Sequence, residues 1–229
     1  YFERSVENGL DPAHNEFVHP TQGSPGMLQD FRKEPLKLDP LPFGHKFFLT
    51  FREDSQETQV KDLRGSKMEI SAGSGHLGPN QLITWIQFSA DNIFHQYFFE
   101  APVDDKSTRI FFINLRNCML DEDMDEGVNK INLQVAEEDI AVLAELNPVR
   151  TPDSNAKEVL MPADAPIVRY REFLKEWDER GWKLDFDALK ARSGDAAFAI
   201  PSPARRQSGN CVLEAVPPVP PSPARRAAA

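Results

Sequence analysis

Gln81-Leu82-Ile83-Thr84-Trp85-Ile86-Gln87-Phe88-Ser89-Ala90, then after Asp91-Asn92-Ile93 the run Phe94-His95-Gln96-Tyr97-Phe98-Phe99-Glu100-Ala101, sets the fold class. Both runs are rich in β-branched and aromatic residues, which suit a pleated, half-buried surface, and Asp and Asn between them are turn formers. Working outward, runs of the same kind occupy 45–52, 67–72 and 108–117, each bounded by Gly, Pro or Asp. Asp104-Asp105-Lys106-Ser107 reads as a hairpin connection. This pattern predicts an antiparallel sheet. Residues 129–146 are helix formers without Gly or Pro, and the acidic stretch 121–126 before them reads as a solvated helix start, where negative charge suits the dipole. A second helix is predicted over 166–180, with Asp164 as N-cap, Gly181 as the stop, and Ile167, Tyr170, Leu174 and Trp177 along one face. The order predicts an α+β domain, an antiparallel β-sheet wrapped by helices. Between 20 and 44, five prolines and three glycines predict a loop-rich crossing of the kind that shapes pockets.

At 229 residues with 40% hydrophobic and 10% aromatic content, the chain can bury one substantial core. We divide it into a body, 1–193, and a tail, 194–229, in which Pro-Ser-Pro-Ala-Arg-Arg occurs at 201–206 and again at 221–226. Such a Pro- and Ala-rich tail cannot bury enough apolar surface to fold, and disorder is predicted, with a docking peptide as the functional alternative. The formal charge is −10; four Arg and one Glu in 201–229 make that segment +3, so the rest carries −13. This balance argues against nucleic acid or an anionic membrane as the main partner, because a phosphate footprint needs clustered Lys and Arg. No apolar run approaches the roughly 20 residues of a membrane span, and no secretory leader is visible. The only cysteines, Cys118 and Cys211, fit a reducing compartment, so a cytoplasmic location is expected. The chain starts at Tyr1 rather than Met, and an upstream portion is expected.

The densest chemistry lies in Glu7-Asn8-Gly9-Leu10-Asp11-Pro12-Ala13-His14-Asn15-Glu16-Phe17-Val18-His19-Pro20. Imidazole is the commonest ligand for mid-to-late transition metals, and two of them with one carboxylate leave open positions on iron(II). On a continuous helix Asp11 and His14 share a face, whereas His14 and His19 stand about 140° apart. Pro20 disfavours the α conformation at His19, so a helix through 11–17 would end there and let His19 swing back. Two surface histidines on a polar loop is the plain alternative. A third ligand is suggested by periodicity: with Ile131 at 0°, Val135 falls near 40°, Asp139 near 80°, Val142 near 20° and Leu146 near 60° at about 100° per residue. Asp139 therefore lies inside an apolar stripe, Glu138 at its edge and Glu137 on the far side. A carboxylate there is costly unless compensated, and a metal would compensate it; a helix cap, a buried salt bridge, or a helix that buries Leu133 and Ile140 instead would also explain it.

The pattern E-N-x-x-D-x-x-H-x-x-x-x-H, filled by Glu7, Asn8, Asp11, His14 and His19, resembles the mononuclear-iron motif of the Rieske non-haem iron oxygenases. The wording of 2–14, with Thr108-Arg109-Ile110-Phe111-Phe112, is most similar to the branch around pheophorbide a oxygenase. The resemblance covers roughly 1–190. It implies a helix-grip, START-like catalytic domain with His14, His19 and Asp139 on Fe(II), and Asn8 close to the metal. It also implies O2 as co-substrate, a small apolar or aromatic substrate, and mono- or dioxygenation. Asp11 would carry electrons from a 2Fe-2S Rieske cluster in a neighbouring subunit of a homotrimer, supplied by a ferredoxin or reductase. The family's C-x-H and C-x-x-H pairs are not found at Cys118 or Cys211, so the cluster is expected outside this chain, which alone would bind iron without turnover. The order His, His, distant Asp differs from the His-x-Asp and distant His of 2-oxoglutarate oxygenases. A rival from another class is a non-catalytic module that binds an apolar ligand beside a vestigial metal site. A zinc hydrolase fits less well, because no HExxH-type base accompanies the ligands. His45 and His95 read as packed strand residues with pocket lining as their functional alternative, and His76, among glycines, as exposed. Trp85, Phe88, Phe94, Tyr97, Phe99, Phe111 and Ile113 read mostly as core, some of them available to line an apolar pocket.

Overall fold

The computed structural model describes residues 1–19, 36–52, 62–63, 65, 69–192, 198–199, 207–209 and 214–215. The chain forms two compact units, 1–171 and 172–229. The first opens with helices α1 (Phe2–Leu10) and α2 (His14–Val18), followed by strands β1 (Asp39–Leu41), β2 (Gly44–Arg52), β3 (Glu69–Leu77), β4 (Gln81–Gln87), β5 (Ile93–Pro102) and β6 (Thr108–Arg116). The six strands form one sheet in sequence order, each antiparallel to the next. The predicted α+β class holds, as does the hairpin at 104–107, where the Asp104 carboxylate accepts the N–H groups of Lys106 and Ser107 and Val103 N–H bonds Ser107 O at 2.9 Å. Of the loop expected over 20–44, residues 20–35 lie outside the described residues; the remainder contributes β1 and the turn into β2.

β3 runs five residues beyond the end predicted at 72, because Gly73, which bounds the predicted strand, sits inside the sheet with Ser74 and Gly75. A Cβ at Gly75 would crowd the backbone of His45 and Lys46, so glycine there permits close approach rather than a bend. The expectation that His76 is exposed fails for the same reason. It is fully buried at 0% exposure, paired across the sheet with His45.

Alternation along the strands places His45, Phe47 and Leu49 on one face with Ala72, Ser74 and His76 of β3, Leu82, Thr84 and Ile86 of β4, and Phe94, Gln96, Phe98 and Glu100 of β5. This is the inner face. α1 lies on it: a Cβ at Gly9 would run into the Leu82 side chain, Val6 and Leu10 are fully buried, and Ser5 Oγ donates to Glu100 Oε1 at 2.8 Å.

Helix α3 (Met124–Ala144) also crosses the inner face. Val128 joins Phe94 and Cys118 in a buried cluster, and Gln96 donates to Asn132 Oδ1 at 3.2 Å. The expected apolar stripe is only partly the covered face. Ile131, Val142 and Leu146 are exposed, whereas Asn132, Val135, Asp139 and Leu143 stay within about 60° of buried Val128. The covered face is thus rotated by roughly 30° from the centre of the hydrophobic stripe, and Asp139 lies squarely on it.

Helix α4 (Ala165–Glu179) begins at the residue after Asp164, where a cap at Asp164 would place it. Asp164 ends the turn Pro162–Asp164, and its carboxylate accepts the Met161 N–H at 2.6 Å. Gly181, at φ 67°, stops the helix as predicted. In the second unit Trp177 packs against Phe173 and Trp182, helix α5 spans Phe186–Ala191, and β7 (Phe198–Ala199) pairs parallel with β8 (Glu214–Ala215). Of the tail predicted to be disordered, 198–199, 207–209 and 214–215 are described, and the remainder lies outside the described residues.

Candidate metal centre

The single helix expected through 11–17 is two helices with a joint at Asp11–Ala13. Pro12 accounts for the joint: it drives Asp11 out of the α region, to φ −86°, ψ 109°. Asp11 and His14 therefore do not share a helix face. Pro20 has the effect expected of it, and His19 leaves the helix at φ −110°, ψ 86°.

The two turns of chain bring both imidazoles against α3. His19 Nε2 lies 3.2 Å and His14 Nε2 3.8 Å from Asp139 Oδ1, and one ligand atom from each residue lies within 4.8 Å of the others. Among the described residues no other set of three His, Cys, Asp or Glu side chains converges in this way. A first-row cation at about 2.1 Å from each ligand requires neighbouring ligand atoms roughly 3 Å apart, so small adjustments suffice. Each ring's other nitrogen is already engaged. His14 Nδ1 bonds the Asp11 carbonyl oxygen, and His19 Nδ1 bonds Glu138 Oε2 at 2.9 Å. Donation from Nδ1–H in both rings fixes the tautomer that leaves Nε2 bare toward Asp139, the arrangement of metal-binding histidines.

Asn8 Nδ2 donates to Asp139 Oδ1 at 2.9 Å, the same oxygen that both imidazoles approach. Asp11 touches the centre only through its backbone. Its carboxylate accepts the Ala13 N–H at 2.8 Å, and burial raises its pKa, opposed by that bond and by His14. Glu138 was assigned no role by periodicity, which left it at the stripe's edge. A hydrogen bond from Gln134 and then the contact with His19 hold its carboxyl below the ordinary range. The signal for it was present: an acid adjacent to Asp139, with Gln one turn earlier.

A second polar cluster, unanticipated in sequence, starts one residue before Asn8. Glu7 is bonded by Arg4 at 3.0 Å, by Arg171 at 2.7 and 3.0 Å, and by Thr151 Oγ1 at 2.9 Å, while Glu158 accepts from Nη2 of both arginines. The other histidine pair engages three of its four ring nitrogens, leaving His45 Nε2 buried without a partner among the described residues. His76 Nδ1–H donates to Gly78 O at 2.9 Å, so its Nε2 accepts from His45 Nδ1–H at 3.0 Å. Burial first, then neighbouring charge, lowers His45 to about 3, and burial lowers His76 to about 4. Both rings are neutral packing residues, as expected for His45. His95 packs between Trp85 and Tyr97 on the outer face.

A sheet gripping a long helix thus carries two histidines and a carboxylate placed to share one cation. Residues 1–180 match the family described as "Vanillate O-demethylase oxygenase C-terminal domain", and the chain belongs to this family of Rieske oxygenase catalytic domains. Comparison with curated proteins gives no match. Among solved structures, NdmA of Pseudomonas putida CBB5 with caffeine is similar at 24% identity and TM-score 0.58, covering 78% of this chain and 48% of that one. NdmB of the same organism gives 23% identity and TM-score 0.54, with 74% and 44% covered. Dicamba monooxygenase bound to 3,6-dichlorosalicylic acid gives 17% and 0.52, with 83% and 56% covered. These likenesses establish the shared fold, and the chain spans about half the length of each structure. The narrower likeness to the pheophorbide a oxygenase branch rests on sequence wording alone.

Proposed function

We propose that this chain is the iron-binding, oxygen-activating domain of a Rieske-type oxygenase, with His14, His19 and Asp139 as the metal ligands. The observation that carries this reading is the convergence of two Nε2 atoms on one carboxylate oxygen while both Nδ1 atoms are held elsewhere. Iron(II) bound there supplies oxygen chemistry that no protein side chain provides. The chain's own residues prepare the site. Asn8 orients the Asp139 carboxylate, Glu138 acts as a positioning residue that holds the His19 tautomer, and the Asp11 carbonyl does the same for His14.

The reaction class is mono- or dioxygenation of an aromatic or other apolar substrate, oxidative demethylation included. The flat ring compounds bound to NdmA and to dicamba monooxygenase agree with such a substrate. Electrons would enter at Asp11 from a 2Fe-2S cluster carried outside this chain and fed by a ferredoxin or reductase. A homotrimer supplies that geometry. The exposed apolar side chains of β6 (Ile110, Phe111, Phe112, Ile113, Leu115) and of α3 (Ile131, Leu133, Ile140, Val142) support burial against another copy. We take the catalytic body as 1–193, followed by the Pro- and Ala-rich segment 194–229. No described helix is long and apolar enough to cross a membrane, and a cytoplasmic site of action is part of the proposal.

The test is titration of the full chain with Fe(II), or with Co(II) as an air-stable stand-in. One equivalent should bind, and Asp139→Ala should abolish binding. A wild-type chain that takes up no metal, or an Asp139→Ala chain that binds as tightly, overturns the proposal in favour of a non-catalytic ligand-binding module.

A further inference from the structure

Across the middle of the inner face runs a row unlike its neighbours. Ser74, Thr84, Gln96 and Asn114 are consecutive register partners on β3, β4, β5 and β6. The rows on either side are mainly apolar: Ala72, Ile86 and Phe94 on one, Leu82, Phe98 and Phe112 on the other. A core needs no such polar rung, because each buried polar group must find a partner to offset its desolvation. This one is poorly satisfied. Ser74 and Thr84 meet at 3.4 Å, and Gln96 donates to Asn132 of α3. Asn114 Nδ2, Asn114 Oδ1 and Asn132 Nδ2 are buried without a hydrogen-bond partner among the described residues. An amide flip does not remedy Asn114, since both of its polar atoms lack partners. The other buried side-chain atoms without partners occur one to a residue, on Arg4, His45, Glu100 and Thr108.

The position of the row adds meaning. Asn132 precedes Asp139 by seven residues, which puts it about 10 Å away along α3 and within roughly 20° of the same face. The helix thus carries three zones in succession: Val128 in the apolar cluster, Asn132 at the polar row, and Asp139 at the ligand set. The row's side chains are half-buried, as lining residues are, rather than fully packed.

We infer that Asn114 and Asn132, with Gln96 between them, form a recognition subsite for an uncharged group that presents a hydrogen-bond donor beside an acceptor: an amide, lactam or imide edge. Asn114 can meet such an edge with both of its atoms, and Asn132 Nδ2 offers a further donor to a second carbonyl. A carboxylate would leave Asn114 Oδ1 without a donor. The one cation of the adjacent inner-face row, Arg116, is spent on Met119 O and Asp125. An all-carbon ring would leave all three atoms unsatisfied. Naming this group as the far end of the oxygenase substrate rests on the proposed function; the subsite itself rests on the row.

The experiment compares the full wild-type chain with Asn114→Leu and the isosteric Asn114→Asp, titrated with benzamide, benzoate and toluene. Wild type should prefer benzamide to both others by roughly tenfold or more, the discrimination expected from one or two buried hydrogen bonds. Asn114→Leu and Asn114→Asp should both lose that preference. Because leucine removes the orphaned amide, Asn114→Leu should also keep or raise Tm, by about 2–4 °C for each kcal/mol gained. Equal or tighter binding of toluene or benzoate by wild type overturns the inference, as does retained preference in either variant. A fall in Tm of Asn114→Leu beyond that of Asn114→Asp overturns it too, by making Asn114 a structural residue. Co(II) affinity measured alongside separates the claims: it should be unchanged in both variants, and wild type that prefers benzamide yet binds no Co(II) defeats the metal reading alone.

Discussion

Glu7 and Asn8 are adjacent on α1 and enter opposite kinds of polar cluster. Glu7 is enclosed by Arg4, Arg171 and Thr151, with Glu158 completing the lattice, and both of its oxygens are engaged. Asn8 leads instead to Asp139, where one carboxylate oxygen faces two imidazole nitrogens and an amide. In the first cluster every carboxylate oxygen of Glu7 and Glu158 is paired with a donor. Its charges neutralise one another at short range, and the Arg171 side chain is only 4% exposed. The second gathers donors that have more in common with a cation than with each other. A polar cluster that closes on itself fixes structure; one whose lone pairs converge with no partner of their own marks a place for a ligand.

That contrast can be broken by experiment, most sharply at Glu7. Glu7→Ala strands two buried guanidinium groups, and the expected cost is about 3–5 kcal/mol in urea unfolding. Asp139→Ala removes a carboxylate from an incomplete site and should cost under about 1 kcal/mol in the metal-free chain. Similar losses from both would erase the distinction. With metal present the order changes. A cation at a hundred times its Kd should stabilise wild type by about 2.7 kcal/mol and leave Asp139→Ala where it was. A smaller effect is expected one residue earlier. Glu138→Gln should weaken Co(II) binding by roughly 10- to 100-fold, because the glutamine amide can donate to His19 Nδ1 and favour the wrong tautomer. The 15N shifts of His19 should report that change; an unaltered tautomer with unaltered affinity would reduce Glu138 to a surface contact.

Much of this was legible in the chain, for reasons that differ by element. The strands at 81–87, 93–102 and 108–116 announce themselves by aromatic and β-branched runs between turn formers. Asp139 is found by periodicity because helical spacing is rigid, even though the covered face of α3 is offset from its apolar stripe. That offset arises because the stripe includes Ile131 and Val142, exposed in this chain, so hydrophobicity alone overstates what the chain buries. The joint at Pro12 was missed by giving weight to Pro20 only, although the same steric rule applies to both. The Glu7 lattice was out of reach. Apart from Arg4, the partners of Glu7 lie 144 and 164 residues away, and no local pattern encodes such a meeting. The polar row was hidden likewise, since Ser74, Thr84, Gln96 and Asn114 become neighbours only through strand register.

The pair His45 and His76 extends the contrast to pH. His45 and His76, lowered to about 3 and about 4 from 6.5, stay neutral in the folded chain while the unfolded chain takes up protons below 6.5. Their contribution is therefore constant above pH 6.5, and stability falls as pH drops from there toward 4. Glu100 works in the opposite sense. Burial raises its carboxyl to about 7, against the hydrogen bond from Ser5, so the stabilising protonated form is fully present below 4.5 and lost as pH rises through 7. Between about pH 6.5 and 4.5 the folded chain forgoes up to two protons on histidine and retains one on Glu100, which leaves a shallow net decline on acidification. Glu100→Gln removes the opposing proton, and its decline over that window should be steeper than that of wild type when unfolding free energies are measured at half-unit steps. A parallel decline in the two chains would mean that Glu100 is ionised in the folded state, and the buried acid would then belong with the closed, charged lattice of Glu7 instead of the neutral pair of His45 and His76.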